Sequence, residues 1–214
     1  MRSYDDPCGV ARALDAVGER WALLVVRDLL LGPKRFTDLA AGLGGMSQNV
    51  LAQRLRDLES RGIVRRRVLG PPSGARVYEL TDAGYELEET VLALARWGSR
   101  APRHERAALT ADAFALALRT TFDADAAGGL RATVVLHLGP DRFTAEVDDG
   151  RFRISRGEAA DPDAVLVADA ATAQGIVFGG ADLPAGAVRG DRALAARFVR
   201  LFPRPEPRRE SAAG

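Results

Sequence analysis

Residues 46–67, MSQNVLAQRLRDLESRGIVRRR, constrain the chain more than any other stretch. Leu51, Leu55 and Leu58 recur at i, i+4 and i+7, which sets one apolar stripe along a helix. Ser47 stands at the N-cap position and Gly62 at C′, so both ends of that helix are marked. Opposite the stripe lie Asn49, Gln53, Arg56 and Ser60, which include amide and guanidinium groups of the kind that pair bidentately with base edges. Ile63 to Leu69 then reads as a strand with a basic face. Between Ser47 and Arg76 seven arginines stand against two acids, in a chain whose formal net charge is only +1. A plain solvated helix is the competing reading, because Lys34 is the single lysine and a general preference for arginine inflates any such cluster.

The flanking elements decide between the two. Pro7 to Val17 suits a short helix, and Arg20 to Leu31 is apolar almost all round, hence buried. Gly32-Pro33 stops it. Arg35 to Leu43 follows as a short helix with Phe36, Leu39 and Leu43 inward, and Gly44-Gly45 turns the chain into the Ser47 helix. Beyond Arg67, the run GPPSG at 70–74 is a turn, and Arg76 to Leu80 closes a hairpin. Arg76 and the Arg65–Arg67 strand, Arg66 included, are then set to reach phosphates or an adjacent minor groove. Thr81-Asp82 caps one more helix running to about Arg100. Its stripe of Leu87, Val91, Leu94 and Gly98, with Leu92 and Trp97 alongside, serves either its own domain or, the favoured reading, a second subunit, with Leu87, Val91, Leu94 and Trp97 as its contacts. A helix with a polar reading face followed by a basic hairpin is a winged helix-turn-helix.

Taken together, these residues resemble the HxlR-type winged-helix transcription regulators. The resemblance rests on Cys8, on GERW at 18–21, on GPKRFTDL at 32–39, on Ser47, Leu51, Arg54-Leu55, Leu58-Glu59 and Gly62-Ile63-Val64, and on YELT at 78–81 with Gly84. It covers roughly residues 7–100. It implies a DNA-binding homodimer with the Ser47 helix in the major groove of double-stranded DNA. Lys34, Arg35 and Arg54 are then phosphate contacts, and Gln48, Asn49, Gln53 and Arg56 carry sequence selectivity. The resemblance also makes Cys8 a candidate redox or electrophile sensor, with a structural thiol as the alternative. Asp5 and Asp6 would raise the pKa of that thiol, and a helix starting near Pro7 would lower it.

The texture changes at APRHER, 101–106, which reads as a hinge. Asp112 to Phe122 is then helical with Phe114, Leu118 and Phe122 on one side, and 123–129 reads as a loop. Four extended runs follow, Arg131–Leu138, Arg142–Val147, Arg151–Ser155 and Ala164–Val167, joined by short turns at 139–141 and 148–150. Phe143, Ala145 and Val147, then Phe152 and Ile154, alternate with polar residues, so one face is buried. A short helix over 171–178, a strand at 187–189 and an Asp191-capped helix with Leu194, Phe198 and Leu201 inward complete an α+β domain. The runs VDDGRF at 147–152, Gly157-Glu158, PDAVL at 162–166 and GAVRGD at 186–191 resemble the sterol carrier protein fold over residues 108–202. That resemblance implies an apolar tunnel for a hydrophobic small molecule and no catalytic residue. Phe114, Leu118, Phe122, Phe143, Phe152 and Phe198 are the side chains expected around such a pocket, and a solid core built from the same set is the alternative.

The expected organisation is therefore α+β. A winged helix-turn-helix DNA-binding and dimerisation domain spans 1–103, a sterol-carrier-like domain with an antiparallel sheet and helices spans 107–203, and 204–214 forms a disordered tail. No run of some 18 apolar residues is present, and the first residues lack an apolar signal core, which points to the cytoplasm. One cysteine and two histidines build neither a disulfide framework nor a typical zinc site, and no catalytic constellation, metal site or cofactor motif stands out. A sequence-specific transcription regulator is the leading reading. A lipid or hydrophobic-metabolite carrier whose winged helix mediates protein contacts is the alternative.

Overall fold

A computed structural model of the chain describes residues 4–101 and 108–205. These form two compact units, residues 1–91 and 92–214, so the division falls inside a helix, ahead of the change of texture at residue 101. The hinge expected at 101–106, apart from Ala101, and the tail expected over 204–214, apart from Arg204 and Pro205, lie outside the described residues.

In the first unit α1 spans Gly9–Val17, α2 Ala22–Leu29, α3 Phe36–Gly42 and α4 Gln48–Ser60. The hairpin β1 (Val64–Val68) and β2 (Arg76–Leu80) follows, then α5, Asp82–Tyr85. Val25, Val26 and Leu29 of α2, Leu39 of α3 and Leu51, Leu55 and Leu58 of α4 are all fully buried, and α2 packs on α3, α4 and β2. Contrary to the all-round burial expected, α2 leaves Leu24 exposed and Leu23 and Arg27 partly so, while its other residues are buried. Lys34 exchanges backbone hydrogen bonds with Tyr78 at 3.0 and 2.8 Å, which ties the start of α3 to the hairpin.

One long helix was expected from Thr81 to about Arg100. Instead α5 ends at Tyr85 and α6 runs Glu88–Ser99. The wing sets this break. Thr81 caps α5, and Gly84 sits so close to the strand that a Cβ would stand 2.2 Å from the carbonyl oxygen of Ile63. An i→i−3 bond from Leu87 N–H to Gly84 oxygen, 3.3 Å, then tightens the chain before α6 begins. On α6 the expected stripe divides: Val91 and Leu92 are buried, Leu87 is half-buried, and Leu94 and Trp97 stand 48% and 61% exposed.

The rest of the second unit contains α7 (Ala111–Thr121), α8 (Ala124–Ala127), β3 (Arg131–Leu138), β4 (Asp141–Asp148), β5 (Arg151–Arg156), β6 (Ala164–Ala168), α9 (Ala170–Gly179), β7 (Val188–Gly190) and α10 (Arg192–Val199). The helical turn α8 replaces the loop expected at 123–129, because the Asp123 carboxylate accepts from Ala126 N–H and caps it. Strand order is β5-β4-β3-β6-β7, and β6 pairs parallel with β3, so the sheet is mixed and not antiparallel as expected. The two hairpins use up one edge of β3. The free edge receives β6, whose entry is pinned at the start of β3: Thr133 N–H donates to the Asp163 carboxylate at 2.7 Å, and Asp163 N–H to Thr133 oxygen at 2.9 Å. Phe143, Ala145 and Val147 of β4 are buried in the alternation the sequence shows, whereas β3 also buries Val135 between Val134 and Leu136, besides Ala132 and Leu138.

The aromatic side chains expected around a pocket pack on one another. Phe122, Phe152, Phe198 and Phe202 form a cluster with ring centroids 5.0–6.4 Å apart, and Phe114 meets Phe178 at 5.9 Å. Phe114, Leu118, Phe143 and Phe198 are at most 1% exposed. Two further rings, Phe178 and Phe202, join these contacts. Beside the cluster Arg156 lies over the Phe143 ring, 4.8 Å from its centroid, and pairs with Asp112 and Asp141.

Candidate nucleic-acid interface

The reading helix is built from both ends. Ser47 Oγ accepts from Val50 N–H at 3.3 Å, and Gly62 adopts φ +69, the left-handed conformation that ends a helix cheaply only at glycine. Because Leu51, Leu55 and Leu58 face the core, Asn49, Gln53 and Arg56 are left exposed on the far side, and Gln48 is exposed at the first turn.

These outward groups are not independent. Gln53 Nε2 donates to Asp57 Oδ1 at 2.7 Å, and Arg56 Nη2 donates to Gln53 Oε1 at 2.7 Å. The second Asp57 oxygen holds Arg54 Nη1 at 3.2 Å, and Glu19 holds the same nitrogen at 3.3 Å. Arg54, expected to be a phosphate contact, is therefore turned inward with a side chain 16% exposed between two carboxylates. Lys34 departs further from the expectation. Its side chain is 4% exposed, and its ammonium lies 3.6 Å from the fully buried Asp28, which also pairs with Arg27 at 2.7 Å. A buried carboxylate draws the nearest cation, so Lys34 balances Asp28 and is not a surface cation. Arg35 remains exposed at the N-cap of α3, with its backbone N–H on Asp38.

In the wing, pleating divides the arginine run between two faces. Arg65 and Arg67 close on the buried Glu79 of β2 through Nε–Oε1 and Nη1–Oε2 contacts of 2.7 and 3.1 Å. Arg66 points the other way, 3.0 Å from Glu59 of α4 and over the Tyr78 ring at 5.6 Å. Arg76 is exposed opposite Val68 at the far end of the hairpin. Sequence reasoning named Arg66 and Arg76 but missed Glu79. The signal is the register, which sets Arg65 directly across from Glu79, and register depends on the hairpin turn.

Cys8 is exposed at the N-cap of α1. The backbone N–H groups of Ala11 and Val10 lower its thiol pKa from the ordinary value.

The family model for the HxlR-like helix-turn-helix matches residues 16–106. The uncharacterized HTH-type transcriptional regulator YvaP of Bacillus subtilis is 37% identical over 89 residues, which are 41% of this chain and 82% of that protein. The chain belongs to the HxlR-like helix-turn-helix family. A second relative with an HTH-type regulator's name, MT3179 of Mycobacterium tuberculosis, is 39% identical over 97 residues, 45% of this chain and 61% of its own length. The oxidized form of the redox regulator HypR aligns with 32% identity over 45% of this chain and 99% of its own, with a TM-score of 0.42. The family match takes in α2 to α6 and only the last two residues of α1, and residues 107–214 lie beyond it.

Proposed function

We infer that this HxlR-family chain is a DNA-binding transcription regulator whose reading element is α4 and whose wing is the β1–β2 hairpin. The observation that carries this reading is the exposed amide and guanidinium row of Gln48, Asn49, Gln53 and Arg56 on a helix whose other face is locked into the core. Gln53→Ala or Arg56→Ala is expected to cost about 1–3 kcal/mol on a selected duplex and to relax its specificity. Arg76→Ala should instead weaken binding to every sequence and flatten the salt dependence. Titration of fluorescent duplexes at several salt concentrations measures both, and unchanged affinity in all three variants would remove α4 and the wing from the interface. The carrier alternative separates in the same assay, because counterion release on random duplex is expected only of a DNA-binding protein.

The working unit in this reading is a cytoplasmic homodimer joined through α6, with Leu94 and Trp97 supplying the exposed apolar contact. Cys8 acts as its redox or electrophile sensor, supported by exposure and a lowered thiol pKa at a helix start. Mild oxidant should then release DNA from the wild type and leave Cys8→Ser bound. An equal response in both proteins would make Cys8 structural.

The domains in this reading are 1–103 for DNA binding and dimerisation and 107–203 for a sterol-carrier-like effector domain. The element order of helix, three-strand meander, crossover strand, helix, strand and helix supports the latter. Its ligand would be a hydrophobic small molecule, and it would regulate only by favouring one arrangement of the protein over another. With the rings closed on one another, such a guest enters by displacing aromatic contacts.

A further inference from the structure

Asp57 touches both kinds of group on α4. One oxygen accepts the Gln53 amide at 2.7 Å and the other holds Arg54 at 3.2 Å, while the side chain itself is 29% exposed. A carboxylate can only accept and a guanidinium can only donate. Gln53 therefore has its nitrogen toward Asp57 and its oxygen toward Arg56, and the flipped amide would set N–H against N–H and oxygen against oxygen. One N–H and one lone pair of Gln53 remain for a ligand. Adenine offers the matching acceptor and donor side by side in the major groove, so an amide held in one orientation reads that edge with less rotamer freedom to lose.

The same carboxylate has a second effect. Together with Glu19 it neutralises Arg54, and it places a negative charge on the helix face that approaches DNA. It therefore weakens sequence-independent attraction to phosphate while it orders the base-reading pair. Both effects raise the ratio of specific to random binding.

We propose that Asp57 is a positioning residue for specificity: it fixes the Gln53–Arg56 pair for base reading and withholds Arg54 from the phosphate backbone. This rests on the assignment of α4 as the reading helix. An arginine brought by neutralising Asp57 to the DNA backbone adds about one counterion to the salt slope.

The test uses the full chain, a randomised duplex pool to select preferred sites, and a random-sequence duplex titrated at several salt concentrations. In Asp57→Ala the affinity for the selected site should fall about five- to a hundredfold, the range of a bidentate base contact. Random-duplex affinity should rise about two- to fivefold with a steeper salt slope. Asp57→Asn keeps an oxygen to accept from Gln53 while losing the charge, so it should retain most of the selected sequence and still bind random duplex more tightly. Opposite movements of specific and random binding support the proposal. A parallel fall in both, with either variant, or an unchanged selected sequence in Asp57→Ala, would overturn it. Should the wild type show no salt-dependent binding to random duplex, the DNA-binding reading itself fails, and this is seen before any variant is made.

Discussion

Replacing Phe198 with alanine is expected to destabilise the second unit by about 3–5 kcal/mol, the range for removing a fully buried aromatic ring. Phe198 is 1% exposed and meets the rings of Phe152 and Phe202 at 6.4 and 5.0 Å. Those two rings also contact Phe122, so one truncation opens a void in a four-ring cluster. For a unit of this size the loss lowers its melting midpoint by roughly 10 °C or more. A calorimetric scan of the full chain, with the two units followed as separate transitions, measures it. A midpoint unchanged within a few degrees would mean that the rings are not held by one another. The same experiment addresses the effector proposal. A fluorescent fatty-acyl probe that binds the wild type saturably should also raise this midpoint, because a ligand taken by the native state alone stabilises it. Absence of saturable binding would leave the cluster as a solid core and the unit as a scaffold.

Leu94→Glu is expected to convert the proposed dimer to monomers and to abolish site-specific DNA binding with it. Leu94 and Trp97 are three residues apart on α6, hence on one face, and both are exposed in the single chain. In a twofold interface each substitution appears twice, so two carboxylates enter an apolar contact with no charge partner supplied. Even ~3 kcal/mol raises the dissociation constant about a hundredfold. Half-sites read by one reading helix each lose their joint geometry when the dimer dissociates. Sedimentation equilibrium at micromolar protein, alongside duplex titration, checks both parts. A wild type that sediments as a monomer would sink the dimeric reading outright, and a Leu94→Glu variant that stays dimeric would move the interface off this face.

The reading helix was legible because it is local. Its stripe repeats at helical spacing, and the residues that mark its ends lie within two positions of them, so neither needs any other part of the chain. The hairpin was legible for the same reason, since a glycine and proline turn separates two short extended runs. What is non-local was missed. Nothing in the sequence around Thr81 announces that Gly84 must press on the carbonyl of Ile63, and that approach is what divides α5 from α6. The parallel pairing of β6 with β3 depends on which strand edge stays free after two hairpins have closed, and hairpin signals are silent about that.

The candidate site follows the same division. Residue type and helical spacing alone set which side chains point away from the core, and so put Asn49, Gln53 and Arg56 outside, whereas Gln48 shares the stripe's side and is exposed at the first turn. Which cations remain available was decided by tertiary contacts. Lys34 and Arg54 carry the charge expected of phosphate ligands, yet burial beside Asp28 and capture between Glu19 and Asp57 give each an internal partner. Charge is a property of the residue, but its availability depends on which acid the fold brings within 4 Å. Likewise the sequence supplies the phenylalanines, and only the tertiary structure decides which rings meet, Phe178 on Phe114 and Phe202 on Phe122, Phe152 and Phe198.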